Sequence, residues 1–217
     1  VQQAFYLHAD GLLATQTPSE HSPPDTYTYD PNNPTPTVGG NIVSYLHAPG
    51  SVDVSEVQQR PDVLVYTTAP LAADLDVVGP LRMLLYASSS AVDTDFCVRL
   101  SDVFPDGRAI QLQSGILRAR YRGEEPTLLE PGQIYLFKVD LWATANRFKV
   151  GHRLRVDICS ADFPRFDRNT NLGGQAGHSV RHHLMVGRYE GDDHLHFAEI
   201  IIGEQRAKRT VDQAGGQ

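Results

Sequence analysis

Residues that could carry out nucleophilic catalysis lie close together in the last quarter of the sequence. Ser179 falls within residues 177–181 (GHSVR), and His182 and His183 follow it. A serine nucleophile on an α/β-hydrolase sits on a tight strand-to-helix elbow, which requires glycine two positions to either side. Here arginine occupies the second of those positions, and no carboxylate stands out as the group that would orient a histidine base. We interpret this stretch as a polar loop with two exposed imidazoles and predict no catalytic residue.

Two further groups of side chains have the types that bind metals. His194 and His196 are two residues apart on a predicted strand, beside two aspartates, so they would face the same way and could hold zinc with a third ligand. Asp93 and Asp95 could offer oxygens to calcium. We interpret the histidines as a solvent-facing pair and the aspartates as turn caps. We predict no metal site and no cofactor, with calcium binding left open.

The two cysteines, Cys97 and Cys159, each lie in a stretch of alternating apolar residues. Such positions favour buried free thiols, although a disulfide is open to them if their strands are neighbours. Two cysteines carry no spacing code. The low cysteine count predicts a cytoplasmic location, and export of a longer protein stays open.

The pattern that must position these side chains is one of strands and turns. Phe96, Val98 and Leu100 alternate with polar or small residues, residues 105–107 (PDG) have turn chemistry, and apolar alternation returns over 109–120. This arrangement predicts a β-hairpin. The same pattern predicts further strands at 62–68, 77–90, 135–141, 152–158 and 195–202.

Two local predictions follow from the same periodicity. The strand at 152–158 places Leu154, Val156 and Ile158 inward, and Arg155 and Asp157 outward. Residues 141–148 (LWATANRF) are the one place where a helical turn or short helix is predicted. Strands without crossover helices indicate an all-β fold with antiparallel sheets, and we predict a jelly-roll β-sandwich.

The Pro-rich residues 15–36 cannot hold a helix and are predicted to run extended over the surface rather than to enter the core. We assign residues 1–203 to a single β-sandwich domain, with 15–45 as an extended wrapping segment and 204–217 as a C-terminal tail. Because the chain starts at Val1 with apolar residues already at strand spacing, we expect it to be part of a longer product.

Composition excludes several partners. The chain of 217 residues has 19 basic and 26 acidic side chains and a formal charge of -7, without a basic run that would bind nucleic acid. It has neither an apolar run long enough to cross a membrane nor a secretion signal. We therefore predict no nucleic-acid or membrane partner.

Several collinear motifs resemble one family. Residues 29–40 (YDPNNPTPTVGG) resemble the start of the C-terminal domain of CocE/NonD serine hydrolases, which include acyl esterases and X-prolyl dipeptidyl-peptidases. Further motifs of that domain follow in order, at 60–66 (RPDVLVY), 88–96 (SSSAVDTDF), 103–109 (VFPDGRA), 151–154 (GHRL) and 163–169 (FPRFDRN), with Asn171.

This resemblance implies a galactose-binding-domain-like jelly roll that packs on the α/β-hydrolase and cap domains of the same parent chain. The family's catalytic triad belongs to the hydrolase domain, no residue here matches a triad position, and His8 is not the triad histidine. We therefore expect no turnover from residues 1–217 alone. By resemblance the domain borders the substrate pocket, and our hypothesis is that Ile42 and Val43 wall its acyl side, against the alternative that they only pack between domains.

The competing hypothesis is a stand-alone β-sandwich module that binds carbohydrate or another extended ligand. Sugar binding requires exposed planar aromatics, and the chain has one tryptophan, Trp142, with most tyrosines at positions where alternation buries them. Homo-oligomer formation is not decided by the sequence.

Overall fold

Thirteen β-strands form the sheets in the part of the chain that the structure describes. The computed structural model describes residues 2–19, 23–43, 48–174, 181–191 and 194–203, with 188–191 and 194–197 described by their backbone alone. In chain order the strands are β1 Gln3–Leu7, β2 Leu13–Ala14, β3 Asp25–Tyr29, β4 Leu64–Thr67, β5 Leu75–Ser89, β6 Asp95–Val103, β7 Ala109–Arg118, β8 Tyr135–Phe148, β9 Arg153–Cys159, β10 His182–Val186, β11 Arg188–Gly191, β12 His194–Phe197 and β13 Glu199–Ile202. Within the described ranges the helical elements are three 3₁₀ turns, Ala9–Gly11, Val57–Gln59 and Ala119–Tyr121.

These strands form two main antiparallel sheets and a small hairpin. The large sheet has the order β2-β1-β13-β5-β10-β3, and β8 pairs along the other side of β5. The smaller sheet has the order β4-β9-β6-β7, and β11 pairs with β12. The predicted all-β sandwich with antiparallel sheets is confirmed, and the galactose-binding-domain-like subtype stays a prediction. No described helix is long and apolar enough to cross a membrane.

The main core lies between the two sheets, where alternate residues of facing strands meet. Met83 and Leu85 of β5 and Phe137 of β8 are fully buried, and so are Phe96 and Leu100 of β6. The Phe96 and Phe137 rings pack with centroids 4.5 Å apart. Each such side chain contributes roughly 1.5–3 kcal/mol by leaving water, so this layer supplies the largest favourable part of folding.

The predicted hairpin is confirmed as β6 and β7. At its tip the Gly107 N–H donates to the Phe104 carbonyl at 2.9 Å, and the Asp106 carboxylate accepts from the Arg108 N–H. Gly107 has φ +94, a backbone conformation that favours glycine. The turn chemistry read from the sequence therefore identifies the tip correctly.

Residues 48–63 cover the outer face of the smaller sheet. Val54 and Val57 pack against Val103 and Ala109, and the Val54 N–H donates to the Ala109 carbonyl at 2.8 Å. As a result every residue of β6 is buried, on both faces of the sheet. Asp157 of the neighbouring strand β9, predicted to point outward, lies beneath this covering segment, bonded to its Gln58, and is 0% exposed.

Two other predictions are corrected by the sheets. Residues 15–36 contain β3, an edge strand of the large sheet that pairs with β10, and its Tyr27 and Tyr29 are buried in the core. Residues 141–148 continue β8 rather than forming a helical turn, because β8 pairs with β5 down to Leu75↔Phe148 and its backbone is satisfied there. The domain limits stay a prediction, and residues 204–217, predicted as a tail, lie outside the described part.

Candidate functional site

A loop between β3 and β4, with its base beside β7 of the smaller sheet, carries the two residues predicted to line a pocket. It starts at Gly40 and closes at Gly50, which exchange two backbone hydrogen bonds of 2.7 and 2.9 Å. Between them the structure describes residues 41–43 and 48–49. The pairing fixes where the loop leaves and re-enters the domain, so the residues within it project from a defined point.

The stem of this loop, residues 39–40 and 50, requires glycine. Gly39 has φ +67, and a Cβ there would lie 2.3 Å from Val52 Cγ2 and 2.6 Å from the Gly50 carbonyl oxygen. Gly40 has φ +76, and its Cβ would meet Gln111 Nε2 of β7 at 2.9 Å. Side chains larger than hydrogen would therefore push the stem away from the sheet.

Arg165 fastens a second segment beside this stem. Its Nη1 donates to Ser114 Oγ of β7 at 2.7 Å, its backbone N–H donates to Thr37 Oγ1 at 3.1 Å, and Nη1 lies near the Gly40 backbone. Phe163 forms a parallel bridge with Pro36 and has 42% of its surface exposed. The stem of the loop and the Phe163 segment are thus held against one another at β7.

The exposure of the two predicted pocket residues differs. Val43 is fully exposed, and Ile42 is half-buried, with its N–H bound to the Gly40 carbonyl at 2.9 Å. Nothing in the described residues forms a pocket around Val43, so its role in a pocket stays a prediction.

The aspartates considered for calcium are bound by arginines. Arg118 donates from Nε and Nη2 to the Asp95 carboxylate at 2.9 and 3.1 Å, and Arg120 Nε donates to Asp93 Oδ2 at 2.9 Å. Asn169 Nδ2 donates to both carboxylates, at 3.0 and 2.8 Å. Burial raises the pKa of Asp95, against the lowering effect of Arg118 and Asn169. Guanidinium groups thus supply the positive charge at this buried site.

The histidines considered as bases lie on strand β10 rather than in the predicted polar loop, and His182 is half-buried. Among the described residues their side-chain hydrogen-bond partners are neutral. His182 Nδ1 lies 3.4 Å from Ser90 Oγ, and His183 Nδ1 lies 2.9 Å from Thr28 Oγ1. Partial burial, with a smaller contribution from His183, lowers the pKa of His182. Ser179 lies outside the described residues.

The remaining predicted sites are separate from this region. His8 Nε2 lies 2.8 Å from the Gln16 carbonyl oxygen. His194 and His196 lie on β12, and their side chains are outside the described part of the structure. Over the described residues no group of three or more His, Cys, Asp or Glu side chains is arranged to hold a metal ion.

The structure contains a buried polar network that the sequence did not predict. Arg99 of β6 and Asp157 of β9 are 1% and 0% exposed, and Arg99 Nε donates to Asp157 Oδ1 at 2.7 Å. Gln58, from the covering segment, donates to Asp157 Oδ2 at 2.8 Å and accepts from Arg155 Nη1 at 2.9 Å. The sequence signal was the opposite charge of two strand residues, but only a known register would have paired them.

Comparison with known proteins identifies the family of this chain. Residues 1–199 match the family described as the X-Pro dipeptidyl-peptidase C-terminal non-catalytic domain. The chain therefore belongs to this family, which agrees with the CocE/NonD resemblance of its motifs.

Three relatives show how the domain occurs elsewhere. The chain is 44% identical over 180 residues to the cocaine esterase of Rhodococcus sp. (strain MB1 Bresler), covering 78% of this chain and 31% of that protein. An aminopeptidase from a marine sediment Thaumarchaeota archaeon matches with TM-score 0.83 and 26% identity, over 95% of this chain and 37% of its own. An α-amino acid ester hydrolase matches with TM-score 0.83 and 28% identity, over 94% and 36%. The chain spans about a third of the length of these relatives.

Proposed function

We propose that this domain serves a CocE/NonD-type serine hydrolase, an acyl esterase or X-prolyl dipeptidyl-peptidase, by packing on the hydrolase and cap domains of the same chain. The relatives with ester or peptide substrates in their names are about three times longer, and the matching part is described as non-catalytic. The described residues of this chain have no serine, histidine and carboxylate in contact. The domain thus supports an active site that lies elsewhere in the longer protein.

The face that meets the hydrolase domain is the one carrying residues 41–43. Val43 supports this assignment, because it is fully exposed on a loop whose base is fixed by the Gly40–Gly50 pair. Phe163 adds a second exposed apolar side chain on the segment fastened beside that base. Covering both side chains would gain about 25 cal/mol for each Å² of apolar surface removed from water.

Within that interface Ile42 and Val43 border the acyl side of the substrate pocket. In the longer protein, Val43→Asp would place a charge against the acyl chain, so kcat/KM for long-chain esters falls about 10-fold or more, from the loss of roughly 1.5 kcal/mol of apolar contact. For short acetyl esters kcat/KM falls by a smaller factor. The assay is a series of p-nitrophenyl esters of increasing acyl length.

Val150→Asp is the matched control, because Val150 is also exposed, at 59%, but lies in the turn before β9. This variant is expected to keep the acyl preference of the parent. If Val43→Asp leaves both KM and acyl preference unchanged, the pocket role is wrong. If purified residues 1–217 hydrolyse these esters in a way that an active-site titrant can count, the supporting role itself is wrong.

A carbohydrate-binding module is the second candidate, and one observation favours it. Trp142 is 67% exposed in the middle of β8, with φ +65 at the point where the pairing with β5 shifts register. Exposed planar rings of this kind stack on sugars. If oligosaccharides quench the fluorescence of this single tryptophan in a titration, the carbohydrate-binding function is supported. If the fluorescence does not change, this function is wrong.

A reducing compartment suits the two free thiols, and we propose a cytoplasmic location on that ground. Fractionation of cells that express the longer protein tests it, and recovery of the protein in the secreted fraction would contradict it.

A further inference from the structure

Cys97 and Cys159, for which the sequence left a disulfide open, stand opposite one another on neighbouring strands. In the antiparallel register of β6 and β9, Cys97 is the direct partner of Cys159. Directly opposite residues point to the same face, with Cα atoms about 4.5–5.5 Å apart. That spacing falls within the range of about 4.4–6.8 Å that a disulfide requires. The register of the two strands is therefore compatible with a disulfide between Cys97 and Cys159.

The surroundings of the pair are apolar on one side and charged on the other. Both thiols are free and buried, and they pack with Val63 in a small cluster on the outer face of the smaller sheet. Arg99, two residues along β6 on the same face, points its Nη2 to Cys159 Sγ at 3.7 Å. Its Nη1 is buried without a hydrogen-bond partner in the described part of the chain. A positive charge thus lies beside Cys159 with donor capacity left over.

This environment makes the two sulfurs unequal. The pKa of Cys159 is lowered by its interaction with the neighbouring Cys97 thiol and by the positive charge of Arg99, although burial opposes this. The pKa of Cys97 is raised by its interaction with Cys159 and by burial. The thiolate is the nucleophilic form of cysteine, so Cys159, which is 0% exposed, is the sulfur that reacts first when a local opening of the fold admits the oxidant.

We propose that Cys97 and Cys159 form a reversible disulfide when the protein meets a small peroxide, and that this bond clamps β6 to β9. The Cys159 thiolate attacks one peroxide oxygen, the O–O bond breaks, and the leaving hydroxide takes up the proton that Cys159 released, giving water. Cys97 sulfur then attacks Cys159 Sγ, the S–O bond breaks, and hydroxide leaves with the Cys97 proton as a second water. Two thiols are oxidised to one disulfide, and one peroxide is reduced to two waters.

The clamp acts on stability and does not depend on the proposed hydrolase partnership. A bond between positions 97 and 159 removes freedom from the unfolded chain, more so because the loop that it closes is long. We expect the oxidised protein to melt about 5–10 °C higher than the reduced one, given about 2–4 °C for each kcal/mol in a chain of this size. Dithiothreitol returns the protein to the lower value.

The test exposes the folded chain to hydrogen peroxide and counts thiols after denaturation. The expected result is loss of both thiols, a linked pair of peptides containing positions 97 and 159 by mass spectrometry, recovery of both thiols with dithiothreitol, and the higher melting temperature. Two single variants divide the roles. In Cys97→Ala, dimedone traps a sulfenic acid at Cys159, whereas in Cys159→Ala the remaining Cys97 reacts about 10-fold more slowly, as its less reactive thiol requires. Neither variant gains stability on oxidation.

Three results would overturn the proposal. The first is two intact thiols at a peroxide concentration that oxidises the urea-unfolded chain completely. The second is oxidation of the two cysteines to separate sulfinic acids without a linked peptide. The third is a disulfide-linked protein whose melting temperature is unchanged or lower, which would show that the bond does not clamp β6 to β9. If a cysteine variant fails to fold, the thiol count and peptide map of the unaltered chain still decide.

Discussion

The buried Arg99–Asp157 pair gives the sharpest stability prediction. Replacing Asp157 with leucine keeps much of the volume but leaves the Arg99 guanidinium, 1% exposed, with only the 3.7 Å contact to Cys159 Sγ in the described structure. Breaking a buried ion pair by removing one partner costs about 3–5 kcal/mol, because the remaining charge stays desolvated. Arg99→Met is expected to cost a similar amount, since Asp157 would keep only its bond from Gln58.

The double variant separates this explanation from loss of packing. Arg99→Met with Asp157→Leu removes both charges together, so it should cost clearly less than the sum of the two single changes, and by at least about 2 kcal/mol less. Urea unfolding followed by far-UV circular dichroism measures each free energy, with equal slopes required for a valid comparison. In melting temperature each single change corresponds to a fall of about 6–20 °C.

An exposed pair provides the matched control. Arg108 and Asp106 form an ion pair with both side chains more than half exposed, so Arg108→Met should cost under about 1 kcal/mol. If the double variant costs the full sum of its parts, Arg99 and Asp157 do not act as a pair. A single variant that costs less than the Arg108 control would show that neither charge is held away from water as described.

Two further predictions concern a close backbone contact and a histidine. Gly115→Ala should destabilise the protein by about 3 kcal/mol in urea unfolding, because its Cβ would lie 2.0 Å from the Asp140 carbonyl oxygen, whereas Gly123→Ala, with open space around it, should be close to neutral. Equal costs for both would refute the contact between β7 and β8. Because partial burial lowers the pKa of His182, its contribution to stability is present above pH 6.5 and is lost as pH falls through the lower folded pKa. His182→Asn should therefore flatten the fall in melting temperature between pH 7 and pH 5, and an unchanged slope would contradict this.

The sequence alone determined the elements whose signals are local. The alternation over 96–101 and 109–120 with the turn at 105–107 identified the hairpin, and the inward residues Leu154, Val156 and Ile158 are all fully buried. These predictions succeed because period-two alternation and turn chemistry depend on neighbouring residues only. The family also followed from the sequence, since its motifs are collinear.

Tertiary structure decided what covers each face and which distant residues meet. Alternation shows that Asp157 lies on the opposite face from Val156, but not that residues 48–63 return to cover that face and supply Gln58. Likewise, alternation does not predict that the Pro-rich stretch adds a strand to the large sheet, where the Tyr27 side chain is buried in the core.

The cysteines show the same limit most directly. Each was predicted as a buried thiol from its own strand, yet their direct opposition depends on the register between β6 and β9, set by contacts that join residues about 60 positions apart along the chain. Periodicity reports the faces of a strand, whereas pairing is fixed by the closure of the whole sandwich. That is the physical reason why chemistry at positions 97 and 159 is visible only in the folded protein.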